Sequence, residues 1–198
     1  MQILKSLRGP SVDWPKQSDD TLLSAVATQD MAAFKELHTR YFSKLMRFAS
    51  RIVDNGETAE EVANDTLMTV WRTAERFEGR SKPSTWMFGI AYRVALRARQ
   101  KAIRRKEDVE LDENLAGVGD AAEHVIQRTD LANALKRLSP EMRAVVELTY
   151  FNGYIYTEIA QILECPVGTV KTRMMAARKH LLKFLSEDGI LGKEQAHG

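Results

Sequence analysis

The chain has 198 residues, a formal net charge of +2 and 44% hydrophobic residues, which is the balance of an ordinary globular protein. Its single cysteine, Cys165, excludes an internal disulfide, and with only four histidines the sequence predicts no metal site and no cofactor. No apolar run approaches the ~20 residues that span a bilayer, and Met1–Arg8 lacks the core of a signal peptide. We therefore expect a cytoplasmic protein without membrane insertion.

The first half of the chain predicts an all-α domain. Residues 1–17 contain one glycine and two prolines and predict a flexible arm. Ser18, Asp19 and Asp20 are candidate N-caps of a first helix, and Asp30 is the predicted N-cap of a second. The apolar residues from Phe34 to Ile52 recur at steps of three and four, which indicates one stripe of a long helix. Since the pattern contains no β-alternation, residues 18–104 are predicted to form a compact helical domain.

Two further helices of this domain are predicted to carry opposite charge. The third begins at a predicted capping box, Thr58–Glu61, and the fourth at a cap formed by Ser84 or Thr85. The predicted buried sides are Ala63, Leu67, Val70, Ala74 and Phe77 in the third helix and Met87, Ile90, Ala91, Val94 and Ala98 in the fourth. No Lys or Arg occurs in residues 52–71, and no Asp or Glu occurs in residues 79–106. This pattern suggests one face for a protein partner and another for nucleic acid, although two solvated helix faces with opposite bias explain it equally well.

A second change of charge predicts a linker and a second domain. Residues 105–122 are rich in acids, include two glycines and are predicted to be a flexible acidic linker. We hypothesise that these acids occupy the preceding basic helix until a stronger polyanion displaces them. Residues 123–186 again show helical periodicity, with Ser139-Pro140 as a helix start, and residues 187–198 are a predicted tail.

The last two predicted helices form a helix-turn-helix, whose second helix enters the major groove of DNA. Thr157 is the predicted cap of the first helix, and the apolar line from Val170 to Leu181 is the predicted inner face of the second. Successive residues of an α-helix are rotated by about 100°, and this rotation identifies the side chains that lie opposite the apolar line. The basic side chains on the two flanks are suited to contacts with DNA phosphates. The predicted base-reading residues are Thr172, Met175, Ala176 and Lys179, and the flanking residues are Lys171, Arg173 and Arg178. A helical protein-binding module is the remaining interpretation.

Two sets of motifs resemble the extracytoplasmic-function (ECF) family of bacterial RNA polymerase sigma factors. The motifs of the second domain are Leu138-Ser139-Pro140, Arg143, Tyr156–Ala160 and Pro166–Arg173, followed by Ala177-Arg178. Those of the first domain are Asp30, Ala33-Phe34, Ala59–Thr66, Val70-Trp71-Arg72, Phe77 and Thr85-Trp86. The resemblance covers roughly Asp19–Leu185, and both sets occur in the order that the family has.

The resemblance implies an alternative sigma factor rather than an enzyme. Such a protein binds core RNA polymerase, recognises the −10 and −35 promoter elements and melts DNA, here in a stress or envelope response. Its implied partners are core polymerase, promoter DNA and an anti-sigma factor, with no small-molecule substrate, and its implied place is the cytoplasm, on the nucleoid when bound to polymerase. Residues 18–104 would be sigma domain 2 and residues 123–186 sigma domain 4. The alternative is an autonomous helix-turn-helix regulator.

The resemblance also implies roles for individual residues. Core-polymerase contacts are implied for Glu61, Asn64, Asp65, Thr66, Leu67 and Trp71. Binding and melting of the −10 element are implied for Arg80, Lys82, Trp86, Tyr92, Arg93, Arg97, Gln100 and Lys101. Contacts to the −35 element are implied for Thr169, Lys171, Thr172, Arg173, Met175, Ala176, Arg178 and Lys179. Aromatic rings beside cations can hold unstacked bases, but Trp71 and Trp86 are equally suited to the core. Arg93, Arg97 and Ala176 depart from the usual family residues, so the promoter preference is expected to deviate.

Overall fold

The computed structural model describes residues 12–53, 55–112 and 132–187, with side chains except at 106–112 and 187. Within these ranges the chain is helical and contains no β-strand, which confirms the predicted all-α fold. The first domain contains a 3-10 turn at Trp14–Lys16, α1 (Asp19–Ala27), α2 (Met31–Ala49), α3 (Gly56–Thr73), a 3-10 turn at Ala74–Arg76 and α4 (Pro83–Asp112). The second domain contains helical residues 132–136, α5 (Pro140–Val146), a π-helical turn at Glu147–Phe151, α6 (Tyr156–Ile162) and α7 (Val167–Glu187).

The predicted linker, arm and tail lie largely outside the described residues. The exceptions are the last residues of the arm, 12–17, and the first residues of the linker, 105–112. Arg40 of α2 donates hydrogen bonds to the backbone carbonyls of Trp14, Pro15 and Gln17 and to the Asp19 carboxylate, so the last residues of the predicted arm are anchored. At the other end of the domain, α4 continues into the predicted linker because residues 105–112 contain no glycine or proline to stop it.

The apolar stripes that the sequence predicts form the core of the first domain. Leu37 and Phe48 of α2, Leu67 and Val70 of α3 and Met87 of α4 are each at most 1% exposed. Burying a side chain of this size stabilises the fold by about 1.5–3 kcal/mol relative to leaving it in water. The helical period of the sequence therefore identified the buried faces of these helices.

The N-caps of α1 and α2 agree with prediction. The Ser18 hydroxyl accepts a hydrogen bond from the backbone N–H of Thr21, and the Asp30 carboxylate accepts from Ala32 and Ala33. Such a cap satisfies a backbone donor that has no partner within the helix.

Three other predicted helix starts were wrong. Asn55, rather than Thr58, caps α3, because its side-chain carbonyl accepts from the backbone N–H of Glu57 at 2.8 Å. The fourth helix begins at Pro83, before the predicted caps Ser84 and Thr85, since proline fits the first helical position. In α6 the N-cap is Ile155 rather than Thr157; its backbone N–H donates to the Glu158 carboxylate at 3.1 Å. In each case a competing group earlier in the chain begins the helix.

The second domain is built around the predicted helix-turn-helix. The Ser139 cap of α5 is confirmed, since its hydroxyl accepts from the backbone N–H of Met142. Leu148, Ile159 and Val170 are fully buried between the π-helical turn, α6 and α7. Gly153, with a φ of +70°, ends the π-helical turn in a conformation that favours glycine.

The two domains also pack against each other, which the sequence did not predict. The Phe88 ring of α4 lies 5.4 Å from the Tyr154 ring, and its other ring contact is with Phe48 of its own domain at 5.3 Å. A Cβ added at Gly89 would lie 3.9 Å from the Ile162 carbonyl oxygen. Helix α6 therefore sits directly on α4.

Candidate functional site

The outer face of α3 carries exposed acidic and amide side chains. Glu61, Asn64 and Asp65 are exposed there, as the predicted polymerase-binding surface requires. Thr66 is fully buried, with its hydroxyl donating to the Val62 carbonyl, and Leu67 is 1% exposed. These two positions share the inner side of the helix with the rest of the core stripe. The expectation that they offer contact atoms at the surface is therefore corrected.

Trp71 lies at the border of this face. It is half-buried, and its ring lies 5.0 Å from the Phe34 ring of α2. Its backbone carbonyl accepts a hydrogen bond from the Gln29 side chain at 3.4 Å. Trp71 thus packs on the core and also exposes part of its surface to solvent, so both predicted roles, core residue and polymerase contact, remain compatible with its position.

Acidic α3 and basic α4 form the walls of one groove. Glu61, Asp65 and Arg72 line it from α3, and Arg97 and Lys101 line it from α4. Both cations of α4 are exposed, as is Gln100 beside them. The predicted polymerase-binding and −10-binding side chains are therefore neighbours in space.

The predicted aromatic residues of the −10 site are packed rather than open. Tyr92 is only 7% exposed, and burial raises the pKa of its hydroxyl. Trp86 is half-buried, with its ring 5.4 Å from that of Phe77. The expectation that Tyr92 is free to stack on a base is not met in this conformation, because α6 and α7 of the second domain pack near it.

Two predicted DNA-binding cations already have carboxylate partners in the second domain. Lys82 Nζ lies 2.8 Å from Glu158 Oε1, and Arg93 forms an ion pair with Glu164. A third bridge joins Arg51 Nε to Glu147 Oε2 at 3.1 Å. The remaining predicted cation of the loop before α4, Arg80, pairs with its neighbour Glu78. The pairs that cross between domains join residues more than seventy positions apart, so no local pattern signals them.

The orientation predicted for α7 is confirmed. Val170, Met174 and Ala177 are at most 1% exposed, and Leu181 packs against the core. On the opposite side, Met175 is 68% exposed and Thr172 and Lys179 are exposed. Ala176, between them, is half-buried, and the Thr172 hydroxyl donates to the Gly168 carbonyl. The exposed side of α7 therefore carries the side chains that a recognition helix would present to the major groove.

The flanks of α7 differ from each other. Lys171 is exposed, and Arg178 donates two hydrogen bonds to the Tyr150 hydroxyl, the shorter of 2.8 Å. Arg173 is half-buried and turns toward the Cys165 sulfur, 3.7 Å from Nη1. Thr169, in the first turn, is half-buried. Arg173 is thus the flanking cation least open to solvent.

An apolar groove beside α7 has no counterpart in the sequence-based predictions. The π-helical turn brings its own aromatic residues to the groove, where Tyr150 is 58% and Phe151 52% exposed. Contiguous exposed apolar surface of this kind marks interaction sites. The lining residues are Leu135, Val146, Tyr150, Phe151, Arg178, Leu181, Leu182 and Leu185. The π-turn that exposes them depends on tertiary packing, so the helical period alone does not indicate it.

Two classes of feature were not found in the part of the chain that the structure describes. Its histidine, cysteine and carboxylate side chains do not gather into a group that could hold a metal ion. None of its helices combines the length and apolarity that crossing a membrane requires.

Comparison with known proteins gives matches for both domains. Residues 37–105 match the family model described as Sigma-70 region 2, and residues 128–181 match the one described as Sigma-70, region 4. The ECF RNA polymerase sigma factor SigL of Mycobacterium tuberculosis is 28% identical over 172 residues, covering 85% of this chain and 97% of that protein. The RNA polymerase sigma-H factor of Pseudomonas aeruginosa is 28% identical over 183 residues, covering 86% and 95%.

Two solved structures have similar folds. The sigma factor RpoE from Bartonella quintana, in complex with the anti-sigma factor NepR, has a TM-score of 0.65 at 27% identity, covering 77% of this chain and 96% of that one. CnrH in complex with the cytosolic domain of CnrY has a TM-score of 0.66 at 24% identity, covering 87% and 99%, and supports the fold. With both sigma-70 regions in order, an exposed acidic α3 and a helix-turn-helix, this chain belongs to the ECF family of RNA polymerase sigma factors.

Proposed function

We propose a division of roles within this alternative sigma factor. Helix α3 binds core RNA polymerase, α4 with the loop before it binds and melts the −10 element, and α7 reads the −35 element. The observation that carries this proposal is the exposed outer side of α7, opposite a buried apolar line, in a domain whose motifs match the family. The protein itself catalyses no reaction, since it supplies recognition to the polymerase.

At the −35 element, we assign base contacts to the exposed side of α7. Lys179 is a donor suited to guanine, and Met175 and Ala176 offer apolar contacts to thymine methyl groups. Lys171 is suited to phosphate, whereas Arg178 and Arg173 reach DNA only by leaving their present partners. Thr169 and Thr172, near the amino end of α7, lie where a recognition helix contacts base edges or the DNA backbone.

At the polymerase, the exposed Glu61, Asn64 and Asp65 supply the contacts. Buried Thr66 and Leu67 act by holding α3 in place. Trp71 contributes the exposed part of its ring at the rim of the surface, a place where tryptophan often dominates the energy of an interface.

At the −10 element, the exposed Arg97, Gln100 and Lys101 are available to the DNA backbone, as is the loop cation Arg80. Lys82 and Arg93 join them once their carboxylate partners leave. Stacking on an aromatic ring stabilises an unpaired base by about 1–3 kcal/mol. We assign this role to half-buried Trp86, and to Tyr92 once the second domain no longer covers it.

An anti-sigma factor is the proposed regulator. The structural relative RpoE was solved with such a partner, and the apolar groove of the second domain is a surface that a helix with an apolar face would cover. We propose action in the cytoplasm, on the nucleoid when bound to polymerase, because the polymerase and the promoter are both there. A role in a stress or envelope response belongs to the same proposal.

Transcription with purified core polymerase tests the proposal. On a library of promoter fragments, Lys179→Ala should lower transcription from −35-dependent promoters about tenfold, since a specific base contact is worth about 1–3 kcal/mol. The matched control, Lys136→Ala, removes an exposed lysine outside α7 and should leave the promoter profile unchanged.

Two outcomes would contradict the proposed division of roles. An unchanged profile for Lys179→Ala would show that α7 presents another side to DNA. Tight binding of the isolated protein to a duplex site, with no promoter-dependent transcript in the presence of polymerase, would instead support an autonomous regulator.

A further inference from the structure

The acids of the second domain are distributed unevenly. Its described residues 132–186 contain four acids, Glu141, Glu147, Glu158 and Glu164, and each of them faces a cation of the first domain. Three form the ion pairs with Arg51, Lys82 and Arg93, and the fourth lies in the field of Arg99. The second domain therefore has an acidic face, which we define as these four glutamates, turned toward the first domain.

The charge of Glu141 illustrates this environment. Partial burial opposes its ionisation, yet hydrogen bonds from its own backbone N–H and from Ser139, together with the charges of Arg99 and Arg173, hold its pKa below the ordinary value. A carboxylate in this position is stabilised in its charged form. The start of its own helix thus contributes more to the charged state of Glu141 than Arg99 of the first domain does.

The contact between the domains has an apolar centre as well. Phe88 is 1% exposed between Phe48 and Tyr154, and Tyr92 one turn further along α4 is 7% exposed. The ion pairs of Lys82 and Arg93 flank this centre along the same helix. Apolar contact and charge pairing therefore hold the same surface of α4.

This surface includes residues that we assign to the −10 element. In the closed arrangement Lys82 and Arg93 each pair with a carboxylate, while their side chains stay 73% and 44% exposed, and Tyr92 is covered. A DNA phosphate therefore has to displace a carboxylate from each cation, and a base reaches Tyr92 only after the domains separate. Glu158 and Glu164 would compete with DNA phosphates for these two cations, because carboxylates and phosphates both present anionic oxygens to a cation.

The closed arrangement is also too small for a promoter. The −10 and −35 elements are separated by roughly 25 base pairs, or about 85 Å of straight B-form DNA at 3.4 Å per pair. Helix α4 has 30 residues and helix α7 has 21, so they are about 45 Å and 30 Å long, and even end to end they would be shorter than this distance. The two domains must therefore separate before both elements are bound.

We propose that the acidic face of the second domain is a docking surface for the chain's own helix α4, and that it competes there with promoter DNA for Lys82 and Arg93. The competition rests on the −10 assignment of the proposed function, whereas the closure does not. The free chain is then closed, and polymerase and promoter hold it open.

The closure is tested by an interdomain distance in the full chain. Spin labels at Ser24→Cys and Ser186→Cys, both exposed positions, are placed in a Cys165→Ser background and measured by pulsed dipolar spectroscopy. We expect one short, narrow distance distribution at 50 mM salt. The variant with Glu158→Gln and Glu164→Gln should show a broad distribution at longer distance, since glutamine retains the α6 cap and removes the charge.

The control and the rescue separate charge pairing from loss of fold. Glu57→Gln with Glu75→Gln removes the same charge from exposed positions of the first domain and should leave the short distance unchanged. Arg93→Glu should open the chain, and adding Glu164→Arg should close it again by restoring the pair. A broad distribution in the unmodified chain, or no response to any of these charge changes, would overturn the closure.

The competition is tested with a fluorescent single-stranded DNA 12-mer of random sequence. The Glu158→Gln, Glu164→Gln variant should bind it about three- to tenfold more tightly than the Glu57→Gln, Glu75→Gln control does. Opening without tighter binding would overturn the competition and the −10 assignment while the closure stands. Tighter binding in both variants alike would show a general charge effect and would also overturn the competition.

Discussion

The exposed acidic side of α3 and the basic side of α4 are neighbours in the first domain. The second domain leaves the side of α3 open and covers part of the side of α4. Glu61 and Asp65 are exposed and form no ion pair with the second domain in the described residues, whereas Lys82 and Arg93 do. The cause is charge, because the four acids of residues 132–186 all lie near cations of the first domain. If the proposed assignments of α3 to polymerase and α4 to DNA hold, this difference predicts that polymerase reaches its surface while part of the DNA-binding surface is still covered.

The largest expected effect is a difference in unfolding free energy between a substitution on the covered side of α4 and one on the open side of α3. Phe88→Ala removes a ring that packs on both Phe48 and Tyr154, and such a truncation of a buried phenylalanine costs about 3–5 kcal/mol. Met68→Ala, on the open face, removes a side chain that is 41% exposed and should cost less than about 1 kcal/mol. Urea unfolding followed by circular dichroism measures both. Equal losses would mean that Phe88 lies outside the cooperative core.

The next effect concerns the open face alone. Asp65→Arg should weaken binding to core polymerase by up to about a hundredfold, or roughly 2.7 kcal/mol, because it places a like charge where the proposed interface needs an acid. Glu75→Arg makes the same change at an exposed position outside that surface and should leave binding within about twofold. Biolayer interferometry with immobilised polymerase measures the affinity, and unchanged melting temperatures establish that both variants fold. Normal binding of Asp65→Arg would remove α3 from the interface.

The smallest effect is on the unfolding free energy and concerns the interdomain ion pair between Arg51 and Glu147. The Glu147 side chain is 2% exposed, and burial raises its pKa although Arg51 opposes this shift. Arg51→Ala should cost about 1–2 kcal/mol at pH 8, since it leaves a buried charge without its partner. Because the folded-state pKa of Glu147 is raised, that penalty is present above this pKa and is relieved as the pH falls through it.

The measurement is unfolding free energy at pH 8 and pH 5. The loss in Arg51→Ala should be smaller at pH 5, and adding Glu147→Gln should recover part of it at pH 8. A loss that is independent of pH and of Glu147→Gln would show that Arg51 acts through packing against the Phe151 ring, which lies 6.0 Å from its guanidinium.

The comparison of predicted and observed helix starts shows where sequence reasoning succeeds. Ser18 and Asp30 were identified because a polar cap stands directly before an apolar stripe. Asn55 was missed as the cap of α3 because the sequence around it also fits a turn, and the more familiar capping box three residues later competes with it. The presence of each helix was therefore predictable. The first residue of a helix depended on which of several nearby side chains formed the capping hydrogen bond with the backbone.

The sequence by itself determined the all-α fold, the buried stripes and the outer side of α7, since each follows from a period of 3.6 residues that is independent of distant parts of the chain. Only the tertiary structure decided that Tyr92 is buried, that Lys82 and Arg93 are paired, and that the π-helical turn opens an apolar groove. These features arise where segments far apart in the chain meet. No local pattern contains the partner of such a residue.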